Sequence, residues 1–428
     1  MSNQKNNRIK KFAAFVGVER NIAAMLTMVV LVGLGEKMAE RFLPLYLIAL
    51  GGGAFSVGLL NGMDNLLSAL YSFPGGFLSD RFGYKRALVI FNLIAMTGFV
   101  IVIAVPRWEA VVFGAVFFLS WTAISLPATM DLVSRVLPKS KRTMGVSMHS
   151  LVRRIPMALG PVLGGALIGA YGEVQGIRLA FTAALVLAGV SLVIQQTLIE
   201  DHRRVTESAD LQKKYGFSLI DWRLRNLLVS DILVRFCEQI PYAFVVLWCV
   251  NQNGITPLQF GLLTTIEMVT AMLVYIPVAV LADKTTKKPF VAITFGFFTI
   301  FPLILIVSRT FWMMVIAFII RGLKEFGEPT RKALIMDLGP EDRKAATFGL
   351  YYLIRDVIVS LAAFGGALLW DSSTAQAIGN TLGLGPGFAA FFGGFASPQA
   401  NFLVAFGFGL LGTFYFIFFG RDLGSANK

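Results

Sequence analysis

Long apolar runs alternate along this chain with short clusters of charge, glycine and proline. Ala87–Val105, Ala110–Met130, Leu179–Ile199, Phe290–Ser308 and Asn401–Gly420 contain no Asp, Glu, Lys or Arg. A helix of about 20 apolar residues crosses the hydrocarbon core of a bilayer. Runs of that length therefore predict an all-α integral membrane protein. A transmembrane β-barrel is excluded, because its strands alternate apolar and polar residues over about ten positions. Turn and charge punctuation between the runs predicts twelve spans, at 21–48, 56–78, 87–105, 110–135, 144–170, 179–198, 226–250, 258–281, 290–308, 310–335, 345–370 and 401–420.

Composition agrees with this pattern. Hydrophobic residues make up 56% of the 428 positions and charged residues 15%, too few to coat several water-soluble domains. The basic N-terminus precedes an apolar segment from Asn21 to Leu50, too long for a signal-peptide core. The formal net charge is +13. Set on the predicted spans, 29 of the 38 Lys and Arg fall in the tails and in or around the loops of the same side, against Arg107 and Arg309 on the other. This asymmetry predicts cytoplasmic termini, in a bacterial inner membrane or an organelle membrane derived from it. The basic excess is then topological. It suits anionic lipid headgroups, and no nucleic-acid partner is needed. Cys237 and Cys249, twelve positions apart, would stand about 18 Å apart on one helix, too far for a disulfide.

The chain repeats internally. Gly58, Asp64, Pro74 and Asp80 recur as Gly261, Glu267, Pro277 and Asp283, each 203 positions later. Pro127 and Pro138 recur as Pro329 and Pro340 at an offset of 202. Arg142, Arg154 and Gly164-Gly165-Ala166-Leu167 recur as Arg343, Arg355 and Gly365-Gly366-Ala367-Leu368 at 201. The order and near-constant offset predict two six-helix halves, 1–198 and 226–428, joined by a polar cytoplasmic linker at 199–225. Parallel halves of this kind hold a substrate site between them near the bilayer midplane.

These residues carry a family resemblance. Gly76-Phe77-Leu78-Ser79-Asp80-Arg81-Phe82-Gly83-Tyr84-Lys85-Arg86 resembles the loop 2–3 motif of the major facilitator superfamily, and Asp283 and Lys284 resemble its degraded second copy. Gly160-Pro161-Val162-Leu163-Gly164-Gly165 is similar to the Gly-Pro core of the family's helix 5 antiporter motif, with Pro156 where an upstream glycine is expected. The usual helix 4 arginine motif is absent. The resemblance implies the twelve-helix fold, with helices 1, 4, 7 and 10 lining a cavity. It also implies a gating role for Gly76, Asp80, Arg81, Gly83, Lys85 and Arg86, which lock the outward-facing state. Chemically, the glycines permit a tight turn, Asp80 suits a helix N-terminus, and the basic residues can pair across the half-interface. The 144–165 and 321–332 stretches are also similar to magnetosome-associated facilitators of the MamH type, a resemblance that implies iron transport.

Intramembrane charge is costly and normally faces protein or a water-filled cavity. Predicted spans 3, 6, 9 and 12 carry none, which marks every third helix as a lipid-facing support. Span 1 carries Glu36, Lys37, Glu40 and Arg41. The four-residue spacing puts Glu36 and Glu40 on one face and Lys37 and Arg41 on another, about 100° away. Asp231, Arg235 and Glu238 form one stripe on span 7, where Arg235 can bridge both carboxylates. On span 10, Arg321–Glu325, Lys324–Glu328 and Glu328–Lys332 are i,i+4 pairs. Gly327 and Pro329 allow a bend there, and Arg331 and Lys332 are expected to anchor the cytoplasmic end. Asp64 and Glu267, equivalent in the repeat, are proton-coupling candidates. The candidate cavity set is thus Glu36, Glu40, Arg41, Asp64, Arg235, Glu238, Glu267, Arg321 and Glu325. Cys237 with Glu238, Glu36 and Glu40 is metal-capable but lacks tight ligand spacing. His149, followed by Arg153, is expected to be a polar packing residue.

The chemistry expected is secondary active transport of a small solute or ion by alternating access. No phosphate-cradling loop is present, so an ion gradient, most simply of protons, is the expected driver. No catalytic constellation and no cofactor motif is seen, and a monomer is expected. The alternative reading is a transporter-like sensor or assembly partner.

Overall fold

The computed structural model describes residues 20–119, 121, 152–199, 220–282, 286–338, 344–383 and 385–421. Every described regular element is a helix. In the N-terminal half these are α1 (Arg20–Glu40), α2 (Leu43–Ala49), α3 (Gly53–Phe82), α4 (Tyr84–Ala104), α5 (Trp108–Phe118), α6 (Arg154–Tyr171) and α7 (Glu173–Leu198). In the C-terminal half, α8 (Trp222–Tyr242), α9 (Phe244–Leu247) and a π-helical turn (Trp248–Gln252) are followed by α10 (Pro257–Ala282), α11 (Lys288–Val307), α12 (Phe311–Leu323) and α13 (Glu328–Leu338). The chain then runs through α14 (Lys344–Trp370), α15 (Ser372–Leu382), α16 (Gly385–Gly393) and α17 (Pro398–Phe419). Each of the twelve expected spans contains one or more of these helices.

The repeat reaches the helix boundaries. α1 and α8 end 202 positions apart, at Glu40 and Tyr242. Both then break. Arg41 and Phe42 interrupt the first, ahead of Pro44 in the first turn of α2, where proline's missing N–H costs nothing. Ala243 interrupts the second, just after Pro241, and the following segment turns by 43°. Span 10 breaks as well, between α12 and α13, where residues 324–327 form turns before Pro329.

Lys85 Nζ donates to Gln196 O at 3.0 Å, Lys288 Nζ to Ile417 O at 2.8 Å, and Asn226 Nδ2 to Phe419 O at 3.4 Å. These contacts gather the starts of α4, α8 and α11 with the ends of α7 and α17 at one end of the bundle, called here the terminal end. At the opposite, far end the two halves meet along α3 against α14 and α6 against α10. The contact is close because it uses glycine. A Cβ on Gly165 would lie 2.4 Å from Pro257 O, and one on Gly261 would lie 2.4 Å from Pro161 O. A Cβ on Gly58 would meet Ala367 Cβ at 2.5 Å. One large apolar cluster runs through both halves toward the far end, with Phe42, Tyr46, Phe244, Trp248, Phe260 and Phe318 in it. A separate cluster around Leu224, Leu227, Phe295, Ile335 and Tyr351 stays within the C-terminal half.

The helices of predicted spans 3, 6, 9 and 12 turn large apolar side chains outward, including Val100 on α4, Val193 on α7, Val307 on α11 and Phe418 on α17. Among the described residues, six helices are long and apolar enough to cross a membrane, and the bent α8 segment makes a seventh. One feature was not expected: 371–400, read as a plain connection, forms the helical pair α15 and α16. Its phenylalanines Phe388, Phe391, Phe392 and Phe395 pack on one another.

Candidate functional site

The charged side chains of α1 form a closed cluster rather than two faces. Lys37 Nζ lies 3.2 Å from Glu36 Oε1 and also bonds Glu40. Its long stem reaches across the 100° that the spacing put between them. Arg41 stands in the break after α1 and turns away from this cluster. Its Nη1 donates to Tyr242 Oη at 2.7 Å, and the guanidinium sits 5.1 Å from that ring's centroid. Because Tyr242 ends α8, this hydrogen bond ties the two broken helices together across the half-interface.

The C-terminal half holds a continuous ion-pair chain. Arg235 bonds Glu238 at 2.6 Å and Glu328 at 3.3 Å, and lies 3.8 Å from Asp231. Lys324 joins Glu238 at 2.9 Å to Glu267 at 3.3 Å. Arg321 Nε lies 3.3 Å from Glu267. Arg331, 1% exposed, pairs with Asp231 and with Glu328 at 2.7 Å. Tyr351 Oη donates to Asp231 at 3.0 Å.

Three expectations are corrected here. The Arg321–Glu325 and Lys324–Glu328 pairs do not form, because the helix ends between them and residues 324–327 turn out of i,i+4 register. Glu325 instead pairs with Arg154 of α6 at 3.2 Å, across the halves. Arg331 is no surface anchor but is fully buried, while Lys332 remains largely exposed, 3.5 Å from Glu328. Arg321 and Glu267 lie 54 positions apart, so helical spacing could not pair them. Removing one member of a buried pair costs about 3–5 kcal/mol, and removing both is milder. Glu267→Gln is therefore expected to lower Tm sharply in thermal unfolding of the detergent-solubilised protein. Arg321→Gln/Glu267→Gln should regain most of the loss. A double variant no more stable than the single would show that Arg321 is not the partner.

A cavity lies between the halves, with α1, α2, α3, α8, α9, α10 and α12 contributing to its wall. Glu40, Arg41, Asp64, Arg321 and Tyr242 face it, among Leu60, Val245 and Phe260. Arg321, 4% exposed, also borders a smaller space of about 290 Å³ beside Glu238, Lys324 and Phe297, Phe298 and Phe301. Its guanidinium rests 5.1–5.6 Å from the rings of Phe301, Phe318 and Tyr242. Asp64 makes no ion pair and no hydrogen bond among the described residues. Its repeat partner Glu267, by contrast, is 1% exposed and engaged by two cations.

The helix 5 glycines set α6 behind α1. A Cβ on Gly160 would meet Lys37 Cβ at 2.7 Å, and one on Gly164 would meet Met38 O at 1.9 Å. Pro161 and Gly165 face α10 on the other side. In the loop motif, Gly83 has φ +81 between α3 and α4, a conformation glycine adopts freely. Lys85 makes the contact with Gln196 given above. Gly76, Asp80 and Arg81 lie on α3, with side chains outside the described set. Asp283, Lys284 and His149 fall outside the described residues altogether. Cys237 is buried, with its thiol donating to Phe298 O at 3.3 Å. Among the described residues, no three His, Cys, Asp or Glu stand together as a metal site.

Tyr242, Lys324, Glu328 and Arg331 complete the arrangement but were not in the candidate cavity set. The sequence marked Lys324 and Glu328 only as members of i,i+4 pairs and Arg331 only as an anchor, and Tyr242 carried no signal.

The family profile of the Major Facilitator Superfamily matches the chain twice, over residues 25–230 and 227–427. An uncharacterised MFS-type transporter of Mycobacterium tuberculosis is 27% identical over 213 residues, which is 50% of this chain and 48% of that relative. The chain thus spans about half the length of this relative. Among solved structures, a bacterial homologue of the human lysosomal transporter Spinster, inward-facing and unoccupied, superposes with a TM-score of 0.66 at 14% identity, over 96% of this chain and 99% of that one. The nucleoside transporter NupG superposes with a TM-score of 0.71 at 14% identity, over 94% and 100%.

Proposed function

The chain belongs to the major facilitator superfamily, and from that membership we propose that it is a proton-coupled secondary transporter of a small solute, working by alternating access. The observation that carries the coupling is Asp64, a carboxylate facing the cavity with no protein partner. A group that must take and release a proton in each cycle cannot be held permanently by a cation, and Glu267 is so held. Glu36, Glu40, Arg235 and Glu238 are, on this reading, framework around the site, while Arg41 and Arg321 face the solute. Glu325 with Arg154 is a link between halves that breaks when they separate.

The positive-inside asymmetry supports cytoplasmic termini, and hence an outward direction for the closed far end. The loop motif from Gly76 to Arg86, with Asp283 and Lys284, would then gate the cytoplasmic side. A monomer suffices, since one chain supplies both halves. Iron as the cargo rests on the sequence resemblance alone; among the described residues the unpaired charged groups of the cavity are one carboxylate and one guanidinium, a poor ligand set for a metal ion.

The test is reconstitution into proteoliposomes carrying a pH-sensitive dye. Solutes from a panel are added under a proton gradient. Asp64→Asn is expected to abolish gradient-driven accumulation while leaving solute exchange in place. Accumulation by Asp64→Asn at the wild-type rate would overturn the assignment of the coupling proton.

A further inference from the structure

Among the described residues, most buried charges of this protein cancel one another. In the C-terminal half Arg235, Arg321, Lys324 and Arg331 balance Asp231, Glu238, Glu267 and Glu328 through the contacts above. Arg355 pairs with Asp356 at 2.7 Å and Arg154 with Glu325 at 3.2 Å. On α1, the Glu36–Lys37–Glu40 cluster keeps one net negative charge, and Arg153 lies close enough to Glu36 to offset it electrostatically. Among the described residues, two charged groups of the cavity wall make no ion pair: Arg41, hydrogen-bonded to the Tyr242 hydroxyl, and Asp64; Arg178, which donates to Ile103 O, is not part of that wall.

With Asp64 ionised, these two cancel across the cavity. A proton on Asp64 removes that balance. Arg41 cannot discharge itself, because a guanidinium keeps its proton in proteins. The rest of the wall is mostly apolar, with Leu43, Leu60, Leu119, Val246 and Phe260, and an uncompensated charge in such a place is unfavourable. Something negative must enter with the proton. We propose that the central cavity takes a small organic monoanion with an apolar body, a monocarboxylate, in the same step as the Asp64 proton, with Arg41 as the anion's partner. This rests on the reading of Asp64 as the proton site.

The geometry suits that class. A guanidinium offers a planar fork of donors matched to a carboxylate, and Tyr242 occupies only Nη1 of Arg41. An organic cation would meet Arg41 and Arg321. A zwitterion would need Asp64 ionised and so could not bring a proton. The charged groups around Asp64 are Glu36, Lys37, Glu40 and Arg41 from α1 and its break, with Arg321 and Tyr242 across the cavity. Of the cations among these, Arg41 alone makes no ion pair; Glu40, Glu238 and Glu267 act on it electrostatically, but each is already held by another cation.

The full chain in lipid nanodiscs is titrated calorimetrically with phenylbutyrate, its amide, phenylbutylamine and phenylalanine, in buffers of different ionisation enthalpy. Phenylbutyrate is expected to bind with uptake of about one proton, its affinity falling about tenfold per pH unit once Asp64 is ionised. The amide, the amine and phenylalanine should bind at least about tenfold more weakly. Arg41→Gln should erase the preference for the carboxylate, and Arg41→Lys should keep part of it. Asp64→Asn should bind phenylbutyrate with no proton uptake. No preference for phenylbutyrate in the wild-type chain, absence of binding by every probe included, overturns the substrate class whatever the variants do. Proton uptake that persists in Asp64→Asn overturns the proton site instead, and a carboxylate preference would then stand without it.

Discussion

Gly261→Leu should hold the two halves apart at the far end and stop transport. The reason is reciprocal contact. Gly165 of α6 lies against Pro257 and Leu258 at the start of α10, and Gly261 of α10 lies against Pro161 and Val162 of α6. The nearest atoms are backbone, 2.4 Å from where either Cβ would be, so no rotamer change makes room. Packed interfaces switch between discrete arrangements rather than deform. A side chain at this crossing therefore disfavours the whole closed state. Gly261→Ala should show the same effect in weaker form. Asn61→Cys, facing the cavity, reports the outcome, because the native Cys237 and Cys249 are buried. In the Gly261→Leu background, that thiol should react with an impermeant maleimide added from the far side, and substrate uptake should fall on the order of tenfold or more. Protected Asn61→Cys and normal uptake in Gly261→Leu would mean that this crossing is not the seal.

Arg331→Gln is expected to be the most destabilising single change in the ion-pair chain, by about 3–5 kcal/mol. Arg331 is buried to 1% exposure and joins Asp231 of α8 to Glu328 of α13. Without it, Asp231 keeps the Tyr351 hydroxyl and the more distant Arg355 at 3.6 Å. Glu328 keeps Arg235 at 3.3 Å and the exposed Lys332 at 3.5 Å. Two carboxylates would thus lose their nearest cation at once. Thermal unfolding in detergent should show a large fall in Tm, and Arg331→Lys should restore part of it, since lysine returns the charge without the fork of donors. Adding Asp231→Asn to Arg331→Gln should also recover stability. An unchanged Tm in Arg331→Gln would show that the pair contributes nothing net.

Much of the architecture could be read from hydrophobic runs and their punctuation. Uncharged runs such as Phe290–Ser308 have only one low-energy solution in a bilayer, a helix that satisfies its own backbone. The near-constant repeat offset reappears in the ends of α1 and α8. The break in span 10 was legible from Gly327 and Pro329, and the break in α8 coincides with Pro241. What escaped was the consequence of those breaks. The i,i+4 rule that paired Arg321 with Glu325 holds only along an unbroken helix, and the turns at 324–327 send the two side chains to Glu267 and to Arg154. The helical pair α15 and α16 escaped for another reason: its segments are too short, and too rich in glycine, to show a periodic pattern.

The sequence by itself determined that this protein lies in a membrane, that its spans form two related halves, and that its interior charge sits on particular helices. Those properties follow from local chemistry, because desolvating a backbone or a charge is costly wherever it occurs. The tertiary structure alone decided which charges neutralise one another. Asp64 and Glu267 are equivalent in the repeat, yet one faces a cavity unpartnered and the other is held by Arg321 and Lys324. That difference depends on side chains arriving from helices distant in sequence, at separations of a few ångströms that linear spacing cannot encode.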